Sequence, residues 1–250
     1  MPKPALVGIL NITPDSFSDG GRFFSYEEAV RRAGQLFADG AAIVDIGAES
    51  TRPNATKLSH EEEWSRVKEL LQTLIPRYPG RLSIDSYHPE TIEKALATGT
   101  VIVNDVTGMN NPEMIDVVVR HNATVVISHL VGADVQAAHA GELIDDVNVV
   151  KTDLLRMASL LLEKGMAKDD IILDPGIGFG KTMRLNNELL KFGTEITDFA
   201  IMVGYSKKRF LGENRMNVEP NLAAGRIARS HGARYIRVHD VQSHAEMLRE

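Results

Sequence analysis

Short apolar or β-branched runs alternate along the whole chain with longer segments whose apolar residues are spaced three and four apart. The short runs are typical of strands, and the three-and-four spacing is typical of helices that bury one face. Strands that alternate with helices form a parallel sheet. Eight such units within 250 residues favour a closed (β/α)8 TIM barrel over an open doubly wound sheet. We therefore predict an α/β fold with a single barrel domain over residues 1–250.

The boundaries of the predicted elements follow from this pattern. The strands are predicted at 5–10, 41–46, 81–84, 101–103, 124–127, 171–173, 200–203 and 235–238. The helices are predicted at 26–38, 61–75, 89–97, 112–121, 145–164, 184–192, 221–231 and 243–249.

A polar side chain able to bind a ligand stands at or just beyond the end of each predicted strand. In a barrel of parallel strands, the carboxyl ends all meet at one face, and that face carries the active site. We therefore expect these side chains to surround one pocket. They are Asn11, Asp45, Asp85, Asn104, His129, Asp174, Ser206 and either Arg237 or His239.

The composition narrows the class of partner. With 28 basic and 34 acidic residues the formal charge is -6, which lacks the basic excess of a nucleic-acid-binding protein. No apolar run approaches the roughly 18 residues of a membrane helix. The chain has no cysteine, which excludes disulfides and thiolate metal sites and favours a reducing compartment. We expect a cytoplasmic protein with small-molecule substrates and neither nucleic acid nor membrane as a partner.

A glycine-rich segment, 174–182, follows the predicted sixth strand. Its Gly-Lys-Thr ending suggests a nucleotide-binding loop, but that motif needs a glycine at 175, where this chain has Pro175. The dinucleotide fingerprint fails as well, because its third glycine would fall on Lys181. A tight turn that only needs a flexible backbone is the simplest alternative.

Asp174 favours a binding role for this segment. A carboxylate at a buried strand end needs hydrogen-bond donors, and a heterocycle with an amino group beside a ring N–H supplies two in parallel. Asp85 and Asn104 could complete such a site with further acceptors and one amide donor. Asp45 and Asp105 could equally cap a helix or brace a loop.

Positive charge gathers after the second, seventh and eighth predicted strands. Each side chain alone is more often a solvated surface charge. Together they suggest a site for an anionic leaving group, because the ends of strands seven and eight commonly bind phosphate in such barrels. The residues are Arg52, Lys207, Lys208, Arg209, Arg237 and His239.

The histidines have no paired metal-ligand spacing, and a structural zinc site is improbable without cysteine. Any metal would therefore arrive with the substrate. Magnesium held by phosphate oxygens and a neutral oxygen ligand such as Asn11 would suit this chain. His129 is as consistent with a packed histidine as with a ligand. Phe179, Phe17 and Pro53 could form the wall for an aromatic substrate.

The motifs resemble those of one family over nearly the whole chain, the dihydropteroate synthases among the pterin-binding barrels. The first segment reads Gly-Ile-Leu-Asn-Ile-Thr-Pro-Asp-Ser-Phe-Ser-Asp-Gly-Gly, and the second reads Asp-Ile-Gly-Ala-Glu-Ser-Thr-Arg-Pro. The matching segments are 8–21, 45–53, 83–86, 104–106, 174–182, 206–208 and 237–241.

The resemblance implies that 6-hydroxymethyl-7,8-dihydropterin pyrophosphate and p-aminobenzoate condense to 7,8-dihydropteroate and pyrophosphate, with Mg²⁺. It implies a homodimer formed by the helices around strands six to eight. It assigns the pterin to Asp85, Asn104, Asp174 and Lys208, and the metal to Asn11. It assigns the pyrophosphate to Arg52, Arg237 and His239, and p-aminobenzoate to Thr51, Pro53, Phe179, Ser206 and Lys208. The residues expected to act in catalysis are Asn11, Arg52, Lys208, Arg237 and His239.

Two alternatives stay open at the level of sequence. Departures from the family pattern after the fifth and seventh strands, in the runs 128–130 and 206–209, suggest a non-catalytic pterin-binding homologue. A barrel that transfers a methyl group from a folate to a corrinoid protein would share the Asp and Asn contacts. It would need no grip on pyrophosphate, so Arg52, Arg237 and His239 favour the synthase.

Overall fold

The computed structural model describes residues 3–12, 26–50 and 55–250. Eight parallel strands close into a barrel in the order β1 to β8, which confirms the predicted fold. Four residues named above, Phe17, Thr51, Arg52 and Pro53, lie outside the described residues. None of the helices in the described ranges is long and apolar enough to cross a membrane.

The strands lie close to their predicted positions. They are β1 (Ala5–Asn11), β2 (Ile43–Gly47), β3 (Leu82–Asp85), β4 (Ile102–Asp105), β5 (Val125–Ser128), β6 (Ile171–Asp174), β7 (Ala200–Gly204) and β8 (Tyr235–Val238). The α-helices are α1 (Tyr26–Ala38), α2 (His60–Arg77), α3 (Pro89–Thr98), α4 (Pro112–Arg120), α5 (Val135–Ala140), α6 (Val147–Glu163), α7 (Met183–Glu188), α8 (Val218–Ser230) and α9 (Val241–Met247).

Two helical segments differ from the prediction. Helix α5 was not predicted, because its six residues are too few to show a helical repeat; the Asp134 side chain begins it by accepting from the Ala137 N–H at 2.8 Å. The predicted helix 184–192 is α7 followed by a 3₁₀ segment, Leu189–Thr194.

Helix α2 shows how local sequence begins an element near the site. The Ser59 side chain accepts from the Glu62 N–H at 3.2 Å, and the Glu62 carboxylate accepts from the Ser59 N–H at 3.1 Å. This reciprocal capping box satisfies two N–H groups that a helix leaves free at its start, and such a cap contributes about 1 kcal/mol. The cap therefore fixes the residue at which α2 begins.

The barrel interior is a small apolar cluster, separate from the large core between the strands and the helices. Its side chains come from seven of the eight strands. They are Val7, Val126, Ile172 and Met202, with Ile43, Ile102, Ala200 and Tyr235 packed against them. This cluster closes the barrel below the site.

The polar residues lie one step above this apolar cluster. Side chains two positions apart on a strand face the same side, so Asp45 follows Ile43, Asn104 follows Ile102 and Arg237 follows Tyr235 toward the carboxyl ends. Asp174 follows Ile172 in the same way. The two-residue repeat of a strand therefore places these polar side chains inside the barrel, directly above the apolar cluster.

Candidate active site

Arg237 lies at the centre of the polar layer and joins three strands. Its Nε donates to Asp45 Oδ2 at 2.6 Å and its Nη2 donates to Asp85 Oδ2 at 2.6 Å. Asn104 Nδ2 donates to the same Asp45 oxygen at 3.0 Å. The second oxygen of Asp45, Oδ1, is buried and has no hydrogen-bond partner among the described residues. The polar layer therefore has more hydrogen-bond acceptors than its own N–H groups satisfy.

The protonation of Asp85 follows from its surroundings. Burial raises the pKa of the Asp85 carboxyl to about 7, while the positive charge of Arg237 opposes that rise and the nearby Asp45 adds to it. Two carboxylates share one guanidinium here, so one negative charge is incompletely balanced. A ligand that brings N–H donors or positive charge to this position would stabilise the carboxylate form.

Asn11 reaches the same region across Gly47. A Cβ built on Gly47 would lie 3.6 Å from Asn11 Oδ1 and 3.7 Å from Asp85 Oδ2. A side chain at position 47 would therefore fill the space between the two oxygens. The amide oxygen of Asn11 is a neutral oxygen ligand of the kind that fits a magnesium ion, which also keeps substrate phosphates and waters among its ligands.

Asp174 approaches Arg237 from the opposite side of the barrel mouth. Its Oδ1 accepts from the Gly176 N–H at 2.7 Å. A Cβ built on Gly204 would lie 3.4 Å from Asp174 Oδ2 and 3.7 Å from Arg237 Cβ. Because glycine has no side chain, Asp174 and Arg237 both lie against position 204. Burial raises the pKa of the Asp174 carboxyl, against the opposing charge of Lys208.

Lys208 connects Asp174 with the aromatic wall. Its Nζ donates to the Ile177 carbonyl oxygen and lies 4.9 Å from the centre of the Phe179 ring, within range of a cation–π contact. Burial lowers the pKa of Lys208 to about 8, with Asp174 opposing the shift. The lysine can thus present a charge beside a flat ring.

Ser206 and His239 form a pair where the seventh and eighth strands end. Ser206 Oγ lies 2.9 Å from His239 Nδ1 and accepts from the His239 N–H at 3.3 Å. The pair stands next in sequence to Lys208 and Arg237, so a phosphate bound there would have a hydroxyl, an imidazole and two cations nearby.

Most of the predicted site residues therefore meet at one end of the barrel. Thr51, Arg52 and Pro53 lie outside the described residues, and their roles stay predictions. The residues that the structure brings to this end are Asn11, Asp85, Asn104, Asp174, Phe179, Ser206, Lys208, Arg237 and His239.

Asp105, Asp45 and His129, for which the sequence left a structural role and a binding role open, have different roles in the structure. Asp105 braces a loop, since it accepts from the Thr107 N–H at 2.7 Å and the Met109 N–H at 3.1 Å. Asp45, for which a brace was equally consistent, belongs to the polar layer. His129 turns its Nε2 to Asp153 at 3.3 Å, and burial lowers its pKa to about 4, so it is a packed neutral histidine.

A group of ligand-type side chains behind the site was not predicted. One ligand atom each from Glu49, Glu63 and His88 lies within 4.8 Å of the others, and no other such group of three occurs in the part of the chain described. His88 Nε2 contacts Glu49 at 3.2 Å, and Ser86 donates to Glu63 at 2.7 Å. Glu49 and His88 therefore bond each other, whereas Glu63 is bonded by Ser86. The sequence motifs did not predict that these three side chains lie together.

A cavity of about 280 Å³ opens beside the polar layer. Glu49, Lys57, Tyr87, Asn110 and Asp134 are among its lining residues, and none of the predicted site residues within the described ranges lines it. Lys57 spans part of its rim by donating to Asp134 at 2.8 Å. The concentration of carboxylates and cations, rather than this cavity, locates the candidate site inside the barrel mouth.

Comparison with known proteins identifies the family of the chain. Residues 7–239 match the family described as pterin binding enzyme. The chain is 35% identical to the dihydropteroate synthase of Escherichia coli K12 over 254 residues, covering 98% of this chain and 90% of the relative.

Two solved structures superpose on the barrel. The dihydropteroate synthase of Xanthomonas albilineans with 4-aminobenzoic acid has a TM-score of 0.88 at 35% identity, covering 99% of this chain and 91% of that one. That of Burkholderia cenocepacia complexed with 7,8-dihydropteroate has a TM-score of 0.85 at 32% identity, covering 100% and 90%. The chain therefore belongs to the pterin-binding enzymes, in the dihydropteroate synthase family.

Proposed function

We propose that this chain condenses 6-hydroxymethyl-7,8-dihydropterin pyrophosphate with p-aminobenzoate, giving 7,8-dihydropteroate and pyrophosphate. The observation that carries the proposal is the meeting of Asp174 and Arg237 at Gly204, with the charge of Lys208 acting on Asp174 and with Asp85 bonded to the same guanidinium. One ligand can contact all of these groups. Membership of the synthase family supplies the reaction.

The acidic groups suit the pterin. Asp174 would accept from the amino group and the adjacent ring N–H, because one oxygen of its carboxylate bonds Gly176 while lone pairs on both oxygens stay available. Asp85 and Asn104 would contact the opposite edge of the ring. Lys208 would lie over its face or edge, close to the p-aminobenzoate wall formed by Phe179.

The reaction needs little proton transfer from the protein. The arylamine nitrogen forms a bond to the pterin methylene carbon, the bond from that carbon to the pyrophosphate oxygen breaks, and the electron pair leaves with pyrophosphate. The nitrogen then loses one proton to the leaving group or to water. Holding both reactants in line can contribute about 7 to 11 kcal/mol, and cationic donors such as Arg237 and His239 would stabilise the departing charge.

Magnesium is part of the proposal. Asn11 would hold it through its amide oxygen, and the ion when bound would neutralise part of the pyrophosphate charge. An Asn11→Ala variant should need a higher magnesium concentration for half-maximal turnover. A magnesium titration of wild-type and variant protein measures this directly, and identical titration curves would remove Asn11 from the site.

A homodimer and a cytoplasmic location stay predictions. Large apolar side chains near strands six to eight are exposed, with Met183 at 57%, Met216 at 62% and Val218 at 46% exposure, which supports an interface there. Sedimentation equilibrium would test the dimer, and a Met216→Glu variant should weaken it. Fractionation of producing cells would test the location.

The deciding experiment is an assay with both substrates and magnesium. Formation of dihydropteroate with an equal amount of pyrophosphate is the expected result. Binding of the pterin pyrophosphate without any product would instead support the non-catalytic homologue. Methyl transfer from a methylated folate to a corrinoid protein is the third arm of the assay, and we expect none.

The charge of Lys208 predicts an alkaline limit on activity. Because the pKa of Lys208 is lowered to about 8, the free enzyme loses this charge as the pH rises through that value. We expect kcat/KM to fall about tenfold per pH unit above this limb. Lys208→Arg should move the limb to higher pH, since a guanidinium stays protonated.

Lys207→Arg is the matched control for this measurement, because Lys207 is the adjacent lysine and contacts neither substrate in our proposal. It should leave the limb where it is in the wild type. An unchanged limb in Lys208→Arg would show that another group sets the alkaline limit.

A further inference from the structure

Lys181 is a buried lysine whose whole ammonium group is occupied by backbone oxygens. Its Nζ donates to the carbonyls of His129 at 3.1 Å, Gly176 at 2.9 Å and Phe179 at 2.9 Å. The residue is only 4% exposed. An ammonium has three N–H donors, so the number of donors equals the number of acceptors here.

The three carbonyls belong to the two segments that follow β5 and β6. Gly176 and Phe179 are the ends of a tight turn, which the Phe179 N–H closes by donating to the Gly176 carbonyl at 3.2 Å. His129 is the first residue after β5. Position 176 must be glycine, because its φ is +64° and a Cβ there would lie 1.9 Å from the His129 oxygen. Lys181 thus joins two closely packed loops.

The turn held by Lys181 carries two groups of the candidate site. Its last residue bears the Phe179 ring, and its Ile177 carbonyl accepts from Lys208. The far side of the turn has its own support, because Gly178 N–H donates to Asn186 Oδ1 at 2.7 Å and Asn186 Nδ2 donates to the Lys181 carbonyl at 3.0 Å. Removing the ammonium would take away the three hydrogen bonds that join the Gly176 and Phe179 carbonyls of the turn to the His129 carbonyl.

We propose that Lys181 is a positioning residue for the arylamine substrate, acting through the 176–179 turn to hold the Phe179 ring and the Ile177 carbonyl in place. Within the proposed function, it would set the geometry of the p-aminobenzoate pocket without contacting either substrate. Of the proposed pterin contacts, Asp85 and Asn104 lie on other strands and do not depend on this turn. Asp174 and Lys208 bond the turn at the Gly176 N–H and the Ile177 carbonyl, so we expect the pterin site to lose less than the arylamine site.

The test compares Lys181→Met with Arg81→Met. Arg81 is a matched control, because its guanidinium also donates to backbone carbonyls, those of Ala42 at 3.0 Å and Ala41 at 2.8 Å, at the opposite end of the barrel. Both variants should unfold at lower temperature than the wild type. Assayed well below that temperature, Lys181→Met should raise the KM for p-aminobenzoate about tenfold or more and leave the KM for the pterin pyrophosphate within about threefold. Arg81→Met should change neither KM.

If Lys181→Met changes both KM values no more than Arg81→Met does, the positioning role is wrong and the lysine only stabilises the fold. Wild-type protein that forms no dihydropteroate would overturn the proposed function as well. An active wild type with unchanged KM values in Lys181→Met overturns this inference alone.

A chemical rescue keeps the test decisive if Lys181→Met does not fold. The chain has no cysteine, so a Lys181→Cys variant can be alkylated while unfolded with 2-bromoethylamine at that single position and then refolded. The product side chain restores an ammonium on an arm of the same length. We expect the rescued protein to regain the wild-type KM for p-aminobenzoate. Refolded protein with normal stability and a persistently high KM would overturn the proposal.

Discussion

Replacing Arg237 with methionine is expected to cause the largest combined loss of stability and activity. The guanidinium bonds both Asp45 and Asp85 at 2.6 Å, and its removal leaves two facing carboxylates without a counter-charge. Breaking a buried ion pair by removing one partner costs about 3 to 5 kcal/mol of unfolding free energy. Turnover should also fall by about 100-fold or more, since the leaving pyrophosphate loses a cationic donor.

A second substitution separates these two effects. Adding Asp45→Asn to Arg237→Met removes one of the facing charges, so we expect urea denaturation to show recovery of about half of the lost unfolding free energy. Turnover should stay low, because the donor to pyrophosphate is still missing. Recovery of turnover together with stability would show that Arg237 acts only by balancing the carboxylates.

Arg234→Met is a suitable control for the same strand. Arg234 is exposed and lies just before β8, at the end of the barrel away from the site. Surface substitutions of this kind usually change stability by less than about 0.5 kcal/mol. Both stability and turnover should therefore match the wild type. An effect as large as that of Arg237→Met would mean that the assay reports general damage to the strand.

The barrel and most of the site were predictable because their physical causes are local. Burial on both faces makes the strands short and apolar, and burial on one face gives the helices their spacing. The two-residue repeat of a strand then decides which polar side chains face inward, so Asn104 and Asp174 could be placed from their own strands alone.

Contacts between distant strands were not predictable in the same way. Asp45 and Arg237 are 192 positions apart, and only closure of the barrel brings them together. The role of Lys181 was hidden for a different reason. Its partners are backbone carbonyls, which every residue has, so the Gly-Lys-Thr sequence shows the donor without showing what it holds.

Replacing Asp174 with asparagine is expected to weaken binding of the pterin pyrophosphate about 100-fold. The substitution keeps the shape of the side chain, and the new amide oxygen can still accept from the Gly176 N–H, so the turn should survive. The other oxygen becomes an NH2 group. In the proposed complex it would face the donors of the pterin, and a donor that opposes a donor loses the bond and leaves both groups desolvated.

Titration calorimetry with the pterin pyrophosphate measures this loss. Asp170→Asn is the control, because Asp170 precedes the same strand at its other end, where it accepts from Thr124 Oγ1 at 2.7 Å. It should bind the pterin normally. Normal binding by Asp174→Asn would mean that the pterin does not lie against β6. Asp45, whose buried Oδ1 has no partner among the described residues, would then be the next candidate to bind the edge of the pterin ring.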